Sequence, residues 1–198
     1  MKQKGFLSAF YPDAWIDCTY SIDFGSWYER GFRGVIFDID NTLVPHGAPV
    51  DKRALTLFEY LHQIGFSTCL LSNNQLSRVK PFANIVKSVF VENAYKPLIK
   101  NYLKACEMMK LEKERVLFVG DQLFTDIWGS KRAGIYNILV KPLHPKEKIQ
   151  ILLKRKLEWV VLYFFRKHCP DAKLITVLDG YESYEDDEKN LENYHEIL

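Results

Sequence analysis

Residues 33–44 read Arg-Gly-Val-Ile-Phe-Asp-Ile-Asp-Asn-Thr-Leu-Val. The apolar run Val35-Ile36-Phe37 ends in two carboxylates two positions apart, Asp38 and Asp40, followed at once by Asn41 and Thr42. A short apolar run bounded by polar residues predicts a buried strand. Strands apolar on both faces belong to parallel sheets. A core has nothing to compensate two like charges, so the pair is expected at the strand's carboxyl end, where open α/β sheets bind their ligands. Two close carboxylates there point to a divalent cation, a nucleophile, or both.

Downstream of this stretch, strand and helix signals alternate. Asp51 can cap a helix carrying Leu55, Phe58 and Leu61 that stops at Gly65. Phe66 to Leu71 reads as a strand running into Ser72-Asn73-Asn74, with a helix from about Gln75 to Ala83. Ser88 to Val91 is a short strand leading to Lys96-Pro97, and Pro97 suits the first turn of a helix reaching about Lys110. Arg115 to Val119 is a strand ending in Gly120-Asp121-Gln122, followed by a helix from Phe124 to Ala133 and a strand from Tyr136 to Val140. Alternating β and α at these spacings predicts a Rossmann-like α/β three-layer sandwich with a central parallel sheet.

Composition agrees with one globular domain. The chain has 198 residues, 47% hydrophobic and 26% charged, which is enough apolar material for a full core. A formal charge of +2 gives no global field to attract a polyanion, so no nucleic-acid partner is expected. The four cysteines, Cys18, Cys69, Cys106 and Cys169, are far apart and fit a reducing cytosol better than a disulfide or zinc framework. Residues 1–15 show no basic segment leading into an apolar run, so no secretory signal is expected. No apolar run reaches the roughly 18 residues a spanning helix needs.

The flanks differ from the core. Residues 1–32 form an aromatic N-terminal arm in which Pro12 predicts a short helix over Asp13-Ala-Trp-Ile and Gly31 stops a second helix. After the core, residues 33–145, comes a basic amphipathic helix over residues 146–170. Its apolar positions are Ile149, Leu152, Leu153, Leu157, Val160, Val161 and Phe164. Between Lys141 and Cys169 stand eight basic residues against two acidic ones, with Trp159, Tyr163 and Phe165 adding aromatic bulk. Such a helix can lie in an anionic membrane surface, dock on a partner, or pack on its own domain with its lysines in water. Residues 171–198 reverse the sign, with nine acids against two lysines, and read as a solvated tail, with Leu174–Leu178 as a possible extra strand.

Four strand ends therefore carry unusual polar residues: Asp38/Asp40/Asn41/Thr42, Ser72/Asn73/Asn74, Lys96, and Asp121/Gln122/Thr125/Asp126. A parallel sheet brings them to one rim. Together they supply carboxylates for a cation, a hydroxyl and amides for phosphate oxygens, and an ammonium for a developing anion. Each alone is an ordinary loop; their joint order is the signal.

That order resembles the haloacid dehalogenase superfamily of phosphohydrolases over residues 33–140. The resemblance implies that Asp38 is a nucleophile forming an aspartyl-phosphate and Asp40 a general acid and then base. It implies Mg²⁺ held by Asp38, Asp40 (through its carbonyl) and Asp121, with Asp126 supporting the metal's water shell. Thr42, Ser72 and Asn73 would bind substrate, and Lys96 would neutralise charge on nucleophile and phosphate. Between Thr42 and Ser72 lie 29 residues and between Ser72 and Lys96 lie 23, already consumed by one helix and one strand each. No cap domain fits, so an open site is expected.

At finer grain the chain is similar to the bacterial YqeG family of capless phosphatases, related to the mitochondrial phosphatidylglycerophosphate phosphatases. Tyr11-Pro12-Asp13, Leu71-Ser-Asn-Asn74, Lys96-Pro97, Gly120 to Asp126 and the basic segment ending in Arg166-Lys167 carry the likeness. The acidic residues after Asp171 depart from it. The likeness implies dephosphorylation of phosphatidylglycerophosphate, a phospholipid-headgroup substrate, by a cytoplasmic protein peripheral on the inner membrane face through residues 146–168. A soluble phosphatase for a phosphoprotein or nucleic-acid end, or a non-catalytic adaptor docking through the C-terminal helix, are the alternatives.

Overall fold

A computed structural model describes residues 6–144 and 149–168. Residues 1–5 of the arm, residues 146–148 of the basic segment, the suggested strand at Leu174–Leu178 and the acidic stretch 171–198 lie outside the described residues. Six strands form one sheet: β1 (Ala14–Ile16), β2 (Gly34–Phe37), β3 (Ser67–Leu71), β4 (Val89–Val91), β5 (Val116–Gly120) and β6 (Tyr136–Val140). Their spatial order is β1-β6-β5-β2-β3-β4, and every pairing is parallel. From β2 the chain steps to β3 and β4 on one side, while β5 and β6 lie on the other. The switch point thus falls at the carboxyl end of β2, where a crevice must open.

Side chains of β2 alternate between two cores, as strand geometry requires. Val35 and Phe37 join Phe24, Trp27, Phe58, Leu61, Val79 and Phe82 on one face. That face is covered by α1 (Phe24–Glu29), α2 (Lys52–Gln63) and α3 (Leu76–Ile85). Ile36 joins Tyr102, Ala105, Cys106 and Phe118 on the other, beneath α4 (Ile99–Met109) and α5 (Trp128–Ala133). Each large apolar side chain buried this way contributes on the order of 1.5–3 kcal/mol. Asp51 caps α2 as its type predicts, accepting from the Ala54 amide at 2.7 Å. At Gly129 an added Cβ would stand 2.2 Å from the buried Tyr102 hydroxyl, so α4 and α5 approach closely only because that position has no side chain.

The arm departs from expectation. Residues 14–16 are a strand, not a helix, and extend the sheet beside β6. The reason is long-range. Asn137, fully buried in β6, needs partners, and Asp13 supplies them. The Asp13 amide donates to Asn137 Oδ1 at 3.0 Å, while Asp13 Oδ2 accepts from the Asn137 amide and from its Nδ2 at 3.2 and 2.7 Å. This network fixes an extended chain where local propensity favours a turn of helix.

The C-terminal helix, α6 (Ile149–His168), packs a narrow side on the body of the protein. Val161 and Phe165 are buried, and Val161 clusters with Leu123, Ile127, Leu139, Leu7, Phe10, Tyr11 and Trp15. Phe165 meets Tyr11 edge-on at 5.2 Å, and the Arg166 guanidinium lies 4.7 Å over the Trp15 ring. Glu158, buried despite its charge, accepts from the Leu123 amide at 2.8 Å and so ties α6 to the loop after β5. Of the apolar stripe read from sequence, Val161 faces this contact, while Leu157 and Val160 are exposed. Replacing Glu158 by Ala should cost about 1–3 kcal/mol, because it leaves a buried amide without an acceptor. Glu158→Gln should cost less, since an amide oxygen can still accept. Urea unfolding of the two variants checks this; equal midpoints for both and wild type would refute it.

Candidate active site

The loop after β2 turns sharply. Asn41 adopts a left-handed φ of 64°, its amide donates to the Val44 carbonyl at 2.7 Å, and the Leu43 amide donates to Ile39 at 2.9 Å. Asn tolerates that conformation better than most residues. The turn separates the two carboxylates in function as well as space. Asp38 stays at the sheet, its amide donating to the Val119 carbonyl of β5 at 3.0 Å. Asp40 faces the rim.

Asp38, Asp121 and Asp126 converge, each offering a carboxylate oxygen within 4.8 Å of the others, and all three are buried. Gly120 makes this possible: a Cβ there would lie 2.6 Å from the Asp126 carboxylate. A π-helical turn, Leu123–Ile127, follows β5 and directs Asp126 back inward, where its Oδ2 accepts from the Gln122 amide at 3.1 Å. The buried Lys96 ammonium reaches the same spot, 2.6 Å from Asp38 Oδ1 and 2.7 Å from Asp126 Oδ1. Its loop is set by Asn73, whose side-chain oxygen accepts from the Lys96 amide at 2.7 Å.

One buried ammonium faces three buried carboxylates, so negative charge is in excess. Burial pushes the Asp38 carboxyl up to about 7; Lys96 pulls against this, while Asp126 and Asp40 add to it. Burial alone would lower the Lys96 ammonium, but Asp126 and Asp38 outweigh it and hold the group charged well above its ordinary range. An all-oxygen trio with surplus negative charge suits a hard divalent cation.

Asp40 has different company. Its carboxylate does not belong to the trio. Oδ1 accepts from the Gly47 amide and Arg78, both at 3.0 Å, and Oδ2 accepts from Asn74 Nδ2 at 2.6 Å, with His46 Nδ1 at 3.5 Å. Burial by itself would raise this carboxyl, yet the donors from Gly47, Asn74 and Arg78 hold it below the usual carboxylate range.

Ser72 is buried beside the trio, its Oγ accepting from the Asn74 amide at 3.2 Å. Thr42 was expected to touch substrate, but it is fully buried and its hydroxyl points at Asp121 Oδ1, 3.4 Å away. It therefore supports a carboxylate and does not line the rim. Sequence reasoning missed Arg78 and the side chain of Asn74 as partners of Asp40. Arg78 lies in the first turn of α3 and Asn74 in the loop before its N-cap Gln75, a pairing that no helical period announces.

The chain from β2 to β3 is a loop and α2, and from β3 to β4 it is a loop and α3. Neither of these two connections inserts a domain over the rim. A family model described as haloacid dehalogenase-like hydrolase matches residues 46–134. A probable phosphatase, YqeG of Bacillus subtilis (strain 168), is 34% identical over 154 residues, covering 77% of this chain and 90% of that protein. This chain belongs to the YqeG family of haloacid dehalogenase-like hydrolases. As a YqeG-family protein it is a phosphatase, and its buried carboxylate trio fits a divalent-metal site. Solved structures resemble the chain more distantly. A protein from Listeria monocytogenes serotype 4b is 21% identical with a TM-score of 0.48, covering 59% of this chain and 85% of its own. A putative HAD family hydrolase from Streptomyces avermitilis is 17% identical with a TM-score of 0.46, covering 56% and 72%.

Proposed function

We propose that this YqeG-family protein is a Mg²⁺-dependent phosphomonoesterase that removes the terminal phosphate of phosphatidylglycerophosphate at an anionic membrane surface. The observation that carries the lipid reading is the outward side of α6. Leu157, Trp159, Val160 and Tyr163 are exposed there, with Trp159 and Tyr163 stacked at 6.0 Å, while Glu158, Val161 and Phe165 face the protein. Trp159 also lines a groove of about 190 Å³ together with Asp121, Trp15 and Lys141, so this aromatic side shares a groove with one member of the carboxylate trio. Exposed Trp and Tyr beside Arg166 and Lys167 are the chemistry of a helix lying in a headgroup layer. No helix among the described residues is long and apolar enough to cross a membrane.

The residues divide the reaction as follows. Asp38 attacks phosphorus and forms an aspartyl-phosphate as the bond to the leaving oxygen breaks, and Asp40 gives that oxygen a proton. Asp40 then takes a proton from water, the water attacks phosphorus, and phosphate leaves with Asp38 restored. The donors around Asp40 favour its base form, which the second half needs. Mg²⁺ on Asp38, Asp121 and Asp126, with the Asp40 carbonyl, would screen the charge of the phosphate dianion. Ser72 and the Asn73 amide hold phosphoryl oxygens, and Lys96 holds its charge beside the nucleophile throughout.

Phosphate release from phosphatidylglycerophosphate in anionic vesicles, beside a panel of soluble phosphoesters, tests this. The lipid should be the better substrate, chelation of Mg²⁺ should stop turnover, and Trp159→Ser with Tyr163→Ser should reduce flotation with the vesicles. A soluble ester hydrolysed about tenfold or more efficiently than the lipid would overturn the lipid assignment while leaving the phosphatase in place.

A further inference from the structure

The mechanism uses one Nη of Arg78, as a donor to Asp40, and leaves the rest of the guanidinium without a task. It stands on the leaving-group side of the site, since Asp40, its partner, marks where the leaving oxygen must be protonated. Of its five donors, one Nη is 3.0 Å from Asp40 Oδ1, and Nε is buried without any hydrogen-bond partner. Native structures seldom leave a buried donor unpaired, and never without cost. The side chain is not locked. It keeps 23% of its surface exposed, and behind it lies the Phe82 ring, 5.7 Å from Cζ, rather than another acceptor. His46, 47% exposed and 3.5 Å from Asp40 Oδ2, adds a second potential donor on the same side. Around the carboxylate trio, Lys96 and a divalent cation together balance the three negative charges. Around the leaving group there is an unspent guanidinium fork.

The geometry points to Arg78 as an anion subsite for the leaving group, so that the enzyme selects phosphomonoesters whose alcohol carries a second oxyanion. A carboxylate or phosphodiester oxygen pair arriving there would draw the fork outward from Asp40 and engage two parallel N–H groups, including the one now unpaired. The guanidinium of Arg is suited to this and the point charge of Lys is not. Asp40 would keep Gly47 and Asn74 as partners during the exchange. The inference rests on the phosphomonoesterase reading and adds the chemical class of the substrate's other end, which is the same whether the anion belongs to a lipid headgroup or to a soluble metabolite.

Three soluble esters separate the possibilities. Glycerol 3-phosphate has an uncharged alcohol, 3-phosphoglycerate places a carboxylate on the same three-carbon skeleton, and glycerophosphoglycerol phosphate carries a phosphodiester. With Mg²⁺ present, wild type should show kcat/KM about ten- to hundredfold higher for the anion-bearing esters, the factor one charge-assisted pair supplies. Which of the two anions is preferred identifies the source. Arg78→Gln should bring the preference down to about one, most of the loss appearing in KM, and Arg78→Lys should recover only part of it. Turnover of glycerol 3-phosphate also falls in these variants, because Asp40 loses a partner, so the ratio between esters is the deciding readout. Equal efficiency on all three esters in wild type, or a preference that Arg78→Gln leaves intact, overturns the subsite and spares the phosphatase. Absence of phosphate release from any ester or lipid overturns both.

Discussion

Asp38→Asn is expected to lower phosphate release by about 10⁴-fold or more, the scale on which removal of a nucleophile acts. The substitution keeps shape and removes the anion. An amide oxygen can still accept from Lys96, so the loop at the end of β2 holds its turn and the loss is chemical. Stability should move the other way. In the metal-free protein Asp38 has its carboxyl pushed up to about 7 by burial, from an ordinary 3.8. Between those values the folded chain binds more protons than the unfolded one, so this group makes stability fall as pH rises from about 4 to 7. Asparagine removes that dependence. Metal-free Asp38→Asn should therefore be at least as stable as wild type at pH 8, while at pH 5 its advantage shrinks. Phosphate assays and urea titrations at the two pH values give both readouts. Activity within tenfold of wild type would remove Asp38 from its role.

The four polar strand ends could be read in advance because each interrupts an apolar run at a place where a parallel sheet makes its ligand crevice. Alternation of β and α then required that Asp38, Ser72, Lys96 and Asp121 meet, although up to 83 positions separate them. What escaped was set by contacts no local pattern contains. The strand at Ala14–Ile16 depends on Asn137, whereas Pro12, two residues before it, suits the start of a helix. The docked side of α6 is decided by a Leu123 amide that needs an acceptor. Glu158 meets that need, and the more apolar Leu157 and Val160 are turned outward. Thr42 looked like a substrate ligand because it follows the carboxylate pair directly, yet the left-handed turn at Asn41 carries it beneath Asp121. Hydrophobic periodicity ranks residues by their wish to be buried; it does not know which polar group the core already contains.

Lys96→Met tests the charge balance from the opposite direction. Methionine fills the same channel but leaves Asp38 and Asp126 facing each other without the ammonium that now bonds both. Breaking a buried pair by removing one partner typically costs about 3–5 kcal/mol, because the remaining charge stays desolvated. The metal-free variant should show a deficit of that order at pH 8. Its pH dependence has a definite sign. Without Lys96, the strongest influence pulling the Asp38 carboxyl down is gone, so its folded-state value rises further above 3.8. The window in which the folded state holds the extra proton then widens upward past 7, and the deficit must narrow as pH falls toward 5. Excess Mg²⁺ should narrow it at pH 8 as well, since the trio without Lys96 beside it holds a cation more tightly than in wild type and so gains more stability by mass action. Activity should nevertheless stay low in the refolded, metal-loaded variant, because positive charge beside nucleophile and phosphate is missing when the bond forms. Urea midpoints at pH 5 and 8, each with and without Mg²⁺, give four numbers. A deficit of the same size in all four would mean that Lys96 acts by packing its alkyl chain and that the charges at this rim are balanced by some other group.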